Sequence, residues 1–321
     1  MLDKQNDMSF APINRAYNRV FRPGRLSIGL VLPLETYAVG AAPEMKAHLE
    51  AAKTAETQGF AALWLRDVPF NVPAFGDVGQ VFDPFVYLGA LATATDDIGL
   101  GTASVILPLR HPAHVAKAAA TADVLSGGRL LFGVASGDRP EEYPAMGADY
   151  HDRAARFRDS FEYIRAVASD FPRHRSAQGT LAGDIDLLPK PAGSRLPLLI
   201  TGGSQQTPDW VAQNGDGWMT YPRDAASQGR VISDYRARLK AHDAPDKPVM
   251  QSLYVDLLDD PDAPPAPLHL GFRSGSRFLL SYLKELQTLG VNHVALNLRF
   301  SQGDISQTQQ RLADALLPEF H

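Results

Sequence analysis

Short apolar segments alternate with longer segments of helical period along most of the chain, and this alternation limits the possible folds more than any other feature. Apolar residues three and four positions apart predict helices that cover a sheet, and short runs that are apolar on both faces predict buried parallel strands. Their alternation is typical of βα units. Eight strands are predicted, with the bounds Leu26–Leu32, Ala61–Leu65, Ile98–Ile106, Leu130–Ala135, Leu198–Thr201, Gly217–Thr220, Val249–Leu257 and His293–Leu298.

Eight βα units favour a closed (β/α)8 TIM barrel over an open doubly wound sheet. The chain has 321 residues, and a barrel of this type takes roughly 250 or more. We therefore predict one α/β barrel domain over residues 26–321, preceded by an arm over residues 1–25 that lies on the domain surface. Glycines at the helix-to-strand junctions, among them Gly59, Gly215 and Gly290, are expected to end helices in the left-handed conformation.

Three long connections follow predicted strands, so we expect insertions at the C-terminal mouth of the barrel, where such barrels carry their sites. They are Arg66–Phe82, Ser136–Asp152 and Leu258–Phe272. The stretch Phe171–Leu196 precedes a strand instead and is predicted to form an excursion or hairpin packed against the same end. Aromatic residues at this mouth either line an apolar pocket or seal the loops: Phe70, Phe75, Phe82, Tyr143 and Tyr221.

Charge and cysteine content exclude several classes of function. The formal net charge of -5 argues against a nucleic-acid surface, which needs a basic face. The sequence has no cysteine, which excludes disulfides, thiolate metal sites and a thiol nucleophile. The N-terminal segment lacks the apolar stretch of a signal peptide, and no apolar run reaches the roughly 18 residues of a membrane helix. We therefore expect a cytoplasmic protein that does not bind membranes.

The segment LLITGGSQQT, residues 198–207, has the composition of a strand followed by a tight turn and the start of a helix. Gly202 and Gly203 permit close approach of a ligand to the backbone, and the N-terminus of a helix attracts anions. Two interpretations are open at this point. The turn binds a phosphate with the help of Ser204 and Thr207, or it is an ordinary turn in which Ser204 caps a helix.

Several other motifs have ordinary structural explanations. The glycines of Gly99–Ser104 lie inside a predicted strand rather than at a strand-to-helix turn, so a nicotinamide-binding fingerprint is rejected. His111 and His114 are spaced like metal ligands on a helix, but no third ligand accompanies them, and Pro112 indicates a helix start. No hydrolase motif is present. Paired acids are expected to be solvated charges, and they are Asp96, Asp97, Glu141 and Glu142.

From about Leu26 to the C-terminus the sequence resembles the bacterial-luciferase-like flavin-dependent monooxygenases, a family of (β/α)8 barrels that use FMN or the deazaflavin F420. The resemblance rests on GFAALWLRD after the first helix, on IGLGTASVILPLRHPAHVAKAAATADVLSGGRLLFGVASG, on RAARFRDSFEYI and on LPLLITGGSQQTPDWVAQNGDGWM. The second segment is the most specific, because it spans two whole βα units. The N-terminal arm is similar to that of one subgroup of the family.

The resemblance implies a role for several positions of this sequence. Ala103 and Ser104 match a bulge, often a non-proline cis peptide, that supports the flavin ring, and Tyr221 matches an aromatic residue beside that ring. Other matched positions bind or border the phosphate: Ser136, Gly137, Gly202, Gly203, Ser204 and Thr207. Asp67 matches an acidic residue of the luciferases and is a candidate catalytic residue. Val68 and Pro69 replace the histidines that follow that acid, so luciferase chemistry on a long aldehyde is not expected.

The function that this resemblance implies is a monooxygenase reaction in which reduced FMN and O2 oxidise a small organic substrate. A flavin carries the chemistry, so few acid or base side chains are needed. Family members often take reduced flavin from a separate reductase, and a homodimer fits the family. Three alternatives remain at this point: an F420-dependent dehydrogenase or reductase on the same barrel, a non-catalytic flavin-binding protein, and a cofactor-free barrel hydrolase.

Overall fold

Eight parallel strands close into a barrel in the computed structural model, which describes residues 9–37 and 41–320. In chain order the strands of this part of the chain are β1 (Ser27–Val31), β2 (Ala62–Leu65), β3 (Gly99–Ile106), β4 (Leu130–Ala135), β5 (Arg173–Ser176), β6 (Gly179–Ala182), β7 (Leu198–Thr201), β8 (Gly217–Thr220), β9 (Val249–Leu257), β10 (Ala266–Leu268), β11 (Gly271–Ser274) and β12 (His293–Asn297). The barrel order is β9, β12, β1, β2, β3, β4, β7, β8, and a β8–β9 pairing closes it. The predicted α/β barrel is confirmed.

Helices follow the barrel strands and cover the outside of the barrel. Among the described residues they are α1 (Arg15–Val20), α2 (His48–Gln58), α3 (Pro84–Ala94), α4 (Pro112–Leu125), α5 (Glu142–Ala145), α6 (Arg153–Ala166), α7 (Pro208–Asn214), α8 (Ala225–Ala241), α9 (Ser276–Leu289) and α10 (Ile305–Leu316). The helix α9 shows the expected apolar face, since Leu279, Leu283 and Leu286 are fully buried. None of these helices is long and apolar enough to cross a membrane.

Glycine ends two of the helices as predicted and a third in another way. Gly59 and Gly290 have φ values of 94° and 97°, so they adopt the left-handed conformation that ends α2 and α9. Gly215 instead has φ -67° and ψ 152°, because the chain after α7 leaves directly in an extended conformation. Leu125, the last residue of α4, is 57% exposed.

The N-terminal segment does not lie on the surface as predicted, because its apolar residues are buried against the amino ends of the barrel strands. Ala16, Tyr17, Val20 and Phe21 are at most 2% exposed and belong to a cluster that continues into the barrel interior. Asn14 Nδ2 donates to Leu130 O at 2.8 Å, at the start of β4. The hydrophobic effect accounts for the difference, since the aromatic and aliphatic side chains of this segment close the end of the barrel opposite the mouth.

The interior of the barrel near this end is filled by a tryptophan and a histidine. Trp64 Nε1 donates to His293 Nε2 at 2.8 Å, and both residues are completely buried. A Cβ atom on Gly101 would lie 2.3 Å from the Trp64 ring, and one on Gly29 would lie 2.8 Å from His293 Nε2. Glycines in two strands therefore make room for two large rings.

The hairpin predicted between Phe171 and Leu196 exists. β5 and β6 pair in antiparallel fashion, and their turn reaches His111, whose Nε2 lies 3.2 Å from Gln178 O. His111 also caps α4, because its Nδ1 accepts from Ala113 N at 3.2 Å. The hairpin contacts the outer helix α6 and supplies no residue to the mouth cavity described below. The hairpin therefore touches the start of α4, after β3, without contributing to the cavity itself.

Candidate active site

A cavity of about 880 Å3 lies at the carboxyl ends of the barrel strands. Its wall comes from the ends of β2, β3, β4, β7, β8, β9 and β12 and from the loops that follow them. This volume is within the range of small-molecule sites. Nine of the residues predicted from the sequence line the cavity, and they are Asp67, Ala103, Ser104, Ser136, Gly137, Gly202, Gly203, Ser204 and Tyr221.

The strand β3 contributes a bulge to the cavity wall. Its register with β4 shifts between Thr102 and Val105, and the peptide bond between Ala103 and Ser104 is cis. Ser104 Oγ hydrogen-bonds the Thr201 hydroxyl, so the two strand ends are tied together at this point. Ala103 and Ser104 present only small side chains to the cavity. Thr102 belongs to the packing instead, because it is fully buried.

The turn after β7 presents backbone N–H groups to the cavity. Gly202, Ser204 and Gln205 have φ values of 54°, 44° and 61°. Within the described residues, the amides of Gly203, Ser204 and Gln205 donate no hydrogen bond to the protein, and all three residues line the cavity. Successive N–H groups in such conformations form a concave anion-binding site. Ser204 Oγ donates to Thr201 O at 2.8 Å and so supports the turn.

Thr207 lies outside the cavity, in contrast to the other predicted residues of this turn. The helix α7 begins at Pro208, and Thr207 is its N-cap, with Oγ1 accepting from Trp210 N at 3.2 Å. The alternative in which Ser204 caps a helix is therefore wrong. Pro208 explains the later start, since proline is favoured at the first helical position and Ser204 has left-handed φ.

The ends of β4 and β8 form two further sides of the cavity. Gly137 has φ 76°, and a Cβ atom there would lie 2.8 Å from Ile106 Cγ2, so this position requires glycine. The Tyr143 hydroxyl donates to Ser136 O from below and holds the end of β4. Tyr221 is 47% exposed, and its ring lies beside Gly202.

Of the five aromatic residues predicted at the mouth, some line the cavity and the others pack against the loops and helices around it. Phe75 and Tyr221 line the cavity. Tyr143 is completely buried beneath it, while Phe70 and Phe82 are partly exposed and lie outside the lining. The ring of Phe82 packs on His48 at 5.2 Å between centroids, which places it against α2.

The candidate catalytic residue Asp67 lies at the cavity wall with both carboxylate oxygens engaged. Arg110 Nη2 donates to Oδ1 at 2.7 Å, and Arg110 Nε and the Ile106 amide donate to Oδ2 at 2.9 and 3.1 Å. The Asp67 side chain is 1% exposed. These contacts support a role in positioning the end of β3 rather than a role in proton transfer.

A charged network that the sequence interpretation missed forms another part of the wall. Asp77 receives hydrogen bonds from Arg66 Nη1 at 2.5 Å and from the Tyr37 and Tyr254 hydroxyls at 3.0 and 3.3 Å, and Arg299 Nη1 lies 2.8 Å from Asp77 Oδ2. Burial acts to raise the pKa of Asp77, but the hydrogen bonds and charge of Arg66 outweigh it and lower that pKa. Asp77 therefore stays ionised. Burial raises the pKa of the Tyr37 hydroxyl to about 12, which keeps it protonated.

Glu142 is not the solvated charge that was predicted. Its residue exposure is 1%, and its Oε1 lies 3.7 Å from Arg139 Nη1. Burial raises the pKa of Glu142, and the charge of Arg139 only partly offsets this. Asp97 does lie at the surface as expected, where it pairs with Arg15 and Arg19.

The sequence held one signal for the missed residues. Arg66 follows the last residue of β2 directly, and Arg299 comes two residues after β12 ends. Charged residues at the carboxyl ends of barrel strands are typical of functional positions. Asp77 lies far from a strand end, in the middle of its loop, so its sequence position does not mark it as functional. Only the conformation of the loop places it beside Arg66.

Together, the fold and the cavity define a barrel protein with a ligand site at the carboxyl ends of its strands, in which a small-residue bulge lies near a set of free backbone N–H groups. Residues 26–317 match the family model described as luciferase-like monooxygenase. The chain belongs to this family, which confirms the resemblance found in the sequence.

The relatives of this chain include both monooxygenases and an F420-dependent dehydrogenase. The chain is 32% identical over 190 residues to an uncharacterized protein of Mycobacterium tuberculosis (54% of this chain, 67% of that protein). It is 26% identical over 172 residues to the alkanal monooxygenase alpha chain of Photorhabdus luminescens (53% and 46%) and 27% identical over 223 residues to an F420-dependent hydroxymycolic acid dehydrogenase of Mycobacterium tuberculosis (68% and 59%). The monooxygenase RslO1 from Streptomyces bottropensis has the same fold, with a TM-score of 0.77 at 18% identity over 92% of this chain and 100% of that chain.

Proposed function

We propose that the protein is an FMN-dependent oxidoreductase that acts as a monooxygenase, using reduced FMN and O2 on a small organic substrate. The observation that carries this proposal is the presence, in one cavity, of the Ala103–Ser104 bulge and the free N–H groups of residues 203–205. The first suits a planar ring, and the second suits a phosphate. Membership of the luciferase-like monooxygenase family supports the same assignment.

Each part of the cavity has a defined task in this proposal. The amides of Gly203, Ser204 and Gln205 hold the phosphate, and Ala103 with Ser104 supports the ring. When bound, reduced FMN supplies the electrons for a reaction in which one oxygen atom of O2 enters the substrate and the other leaves as water. The protein contributes orientation and the exclusion of water, for which the loops after β2 and β9 lie over the mouth. Asp67 positions the bulge through Ile106 and Arg110.

Two partners complete the proposal. A separate flavin reductase supplies the reduced cofactor, as is common in the luciferase-like family; direct use of NAD(P)H by this chain is the alternative. The functional unit is a homodimer. Its contact uses the early helices, where Val86 of α3 is 75% exposed and Phe82 just before it is 39% exposed.

A second candidate function is an F420-dependent dehydrogenase, in which hydride transfer replaces the reaction with O2. The identity of 27% with a dehydrogenase whose name specifies F420 favours this candidate. The same bulge and turn serve either cofactor, because both carry a flat ring system and a phosphate.

A cofactor titration tests the proposal. We expect FMN to bind the purified protein, and riboflavin, which lacks the phosphate, to bind at least about tenfold more weakly because charge-assisted hydrogen bonds are lost. Gly203→Asp places a negative charge beside the free amides, and we expect it to weaken FMN binding by about tenfold or more and to leave riboflavin binding unchanged. Gly203→Asn has the same shape without the charge and is the matched control. Gly203 is exposed and lacks positive φ, so both side chains are tolerated.

The outcomes separate the candidates. Binding of F420 without binding of FMN would establish the second candidate. Equal affinity of the wild type for FMN and riboflavin would refute the phosphate assignment. A protein that binds FMN and shows neither NAD(P)H oxidation nor O2-dependent turnover with a coupled reductase across a substrate panel is a non-catalytic flavin-binding protein.

A further inference from the structure

Three largely buried arginines gather around Asp77 at the wall of the cavity. Arg66, Arg139 and Arg299, which we call the arginine cluster, all line the cavity, and their side chains are 17%, 7% and 5% exposed. Arg66 and Arg299 pair with Asp77, and Arg139 Nη2 donates to the Asp77 carbonyl at 3.0 Å. The three side chains come from the ends of β2, β4 and β12, so the fold brings them together from distant parts of the sequence.

The negative charges in this region do not balance the arginine cluster. Asp77 supplies one full charge. Glu142 is the nearest other carboxylate and pairs with Arg139 at 3.7 Å, so three guanidinium groups stand against two buried carboxylates. Asp67 is paired with Arg110. Asp138 lines the cavity next to Arg139 at an exposed position, and its charge acts on both Tyr221 and Glu142. A surplus of buried positive charge is costly unless an anion pairs with it.

The hydrogen-bond capacity of the cluster is also incompletely used. Within residues 9–37 and 41–320, Arg66 Nε, Arg139 Nη1 and Arg299 Nε have no hydrogen-bond partner and are shielded from solvent. Buried N–H groups of arginine normally find an acceptor. Each of the three guanidinium groups thus keeps one buried donor unsatisfied.

We propose that the arginine cluster binds an oxyanion of the organic substrate, so that the substrate is an organic acid held by its carboxylate or an equivalent group. This inference rests on the proposed function, because it assigns the remaining part of the cavity to the substrate. The planar fork of arginine matches a carboxylate in two-point contact. Phe75 and Phe300 flank the cluster and offer apolar contact to the body of the acid, with the Arg139 guanidinium 4.2 Å from the Phe75 ring centre and that of Arg299 5.3 Å from the Phe300 ring centre.

The phosphate of the cofactor is a second possible source of such an anion. Its proposed site and the arginine cluster lie on different parts of the cavity wall, and this difference separates the cofactor phosphate from the substrate. The free amides of residues 203–205 follow β7, whereas Arg66 and Arg299 follow β2 and β12; Arg139 follows β4, but its side chain is directed to the Asp77 carbonyl beside Arg66. In the barrel order β3, β4 and β7 stand together, and β12, β1 and β2 stand together. A ring on the β3 bulge with its phosphate at the β7 turn leaves the arginine cluster to a second ligand.

Calorimetric titration with benzoate and with benzyl alcohol, its neutral analogue, tests the proposal on cofactor-free protein. We expect benzoate to bind the wild type at least about tenfold more tightly than benzyl alcohol, and Arg299→Gln to remove this preference. Arg299→Lys keeps the charge without the fork, and we expect it to retain part of the preference. Arg139→Gln gives an independent variant, because Arg139 makes no side-chain contact with the Asp77 carboxylate. Arg277→Gln is the control, since Arg277 is 70% exposed in a surface pair with Asp262.

The affinities for FMN and F420, measured on the same variants, identify the source of the anion. The proposal requires that Arg299→Gln and Arg139→Gln change cofactor affinity by less than about twofold. Parallel loss of benzoate and cofactor affinity would assign the arginine cluster to the cofactor phosphate and overturn the proposal. Equal wild-type binding of benzoate and benzyl alcohol would also overturn it. If neither the wild type nor any variant binds FMN or F420, the proposed function is refuted. The benzoate measurement does not depend on cofactor binding, so this result is separate from the test of the arginine cluster.

Discussion

At the scale of single residues, the barrel depends on glycines that face large rings. Gly101 faces Trp64, and Gly29 faces His293. The sequence showed Gly99 and Gly101 only as glycines inside a strand, a position that suggests close packing. Which ring each one faces depends on strand register, and register is fixed by the pairing of β2 with β3 and of β12 with β1.

We expect Gly101→Ala to lower the free energy of unfolding by roughly 1–3 kcal/mol, because its methyl group would lie 2.3 Å from the Trp64 ring in a closely packed interior. Urea unfolding followed by circular dichroism measures the change. Gly89→Ala is the matched control: nothing lies within 4 Å of a Cβ there, and alanine in a helix is favoured over glycine by about 1 kcal/mol. Equal effects of the two substitutions would contradict the packing argument.

At the scale of elements, the N-terminal segment belongs to the barrel domain, because its apolar residues share a buried cluster with residues of the barrel strands. Its contacts run to the amino ends of several strands: Tyr17 donates to Asp216 O at 2.6 Å, and Ala16 N donates to Gly128 O at 3.0 Å. The sequence predicted an arm because polar and aromatic residues alternate without a clear period. The helix α1 has only six residues, and so few turns do not show a helical period in the sequence.

We expect Asn14→Ala to lower the free energy of unfolding by about 1–3 kcal/mol. Asn14 caps α1 through Tyr17 N at 2.9 Å and also donates to Asp123 Oδ1 at 3.0 Å, so its loss leaves buried polar groups without partners. Arg22→Ala, a change at an exposed position of the same segment, serves as the control. Cofactor affinity should stay the same in both variants, since the segment lies at the end of the barrel opposite the cavity. A stability equal to that of the control would show that the segment is not needed to close the barrel.

At the scale of the whole molecule, the barrel could be predicted from the sequence and the arginine cluster could not. Strand positions follow from local pattern, and β4, β7, β8 and β9 have the predicted bounds. The bulge at Ala103 came from resemblance to a family, because nothing local marks a cis peptide, whereas the turn at Gly202 was visible in the local composition and the resemblance only added its match to a phosphate site. Asp77 and Arg299 meet only after 222 residues of chain have folded between them, so a local pattern carries no information about their contact.

The stability of the molecule should depend on pH through one buried histidine. Trp64 donates to His293 Nε2, so its proton is on Nδ1, 2.7 Å from Ser27 Oγ. Burial lowers the pKa of His293 to about 3, against about 6.5 in an unfolded chain. Between these values the unfolded state binds one more proton.

We therefore expect the contribution of His293 to the free energy of unfolding to be complete above about pH 7 and to fall as the pH decreases, by up to about 1.4 kcal/mol per pH unit. His293→Gln removes this titration and keeps an acceptor for Trp64. Urea unfolding of both proteins between about pH 4 and 8 measures the difference in slope. Identical slopes would show that His293 does not couple protonation to folding.

The separation of the bulge and β7 turn from the arginine cluster has a consequence for the design of variants. Arg66, Asp77 and Arg299 can be randomised as a group in a library while Ala103, Ser104 and residues 202–205 are kept, because the two groups share no hydrogen bond among the described residues. Under the assignments proposed above, acceptance of new substrates requires a redesign of only one wall. The same separation would let natural selection change the substrate of the barrel without rebuilding the proposed cofactor site.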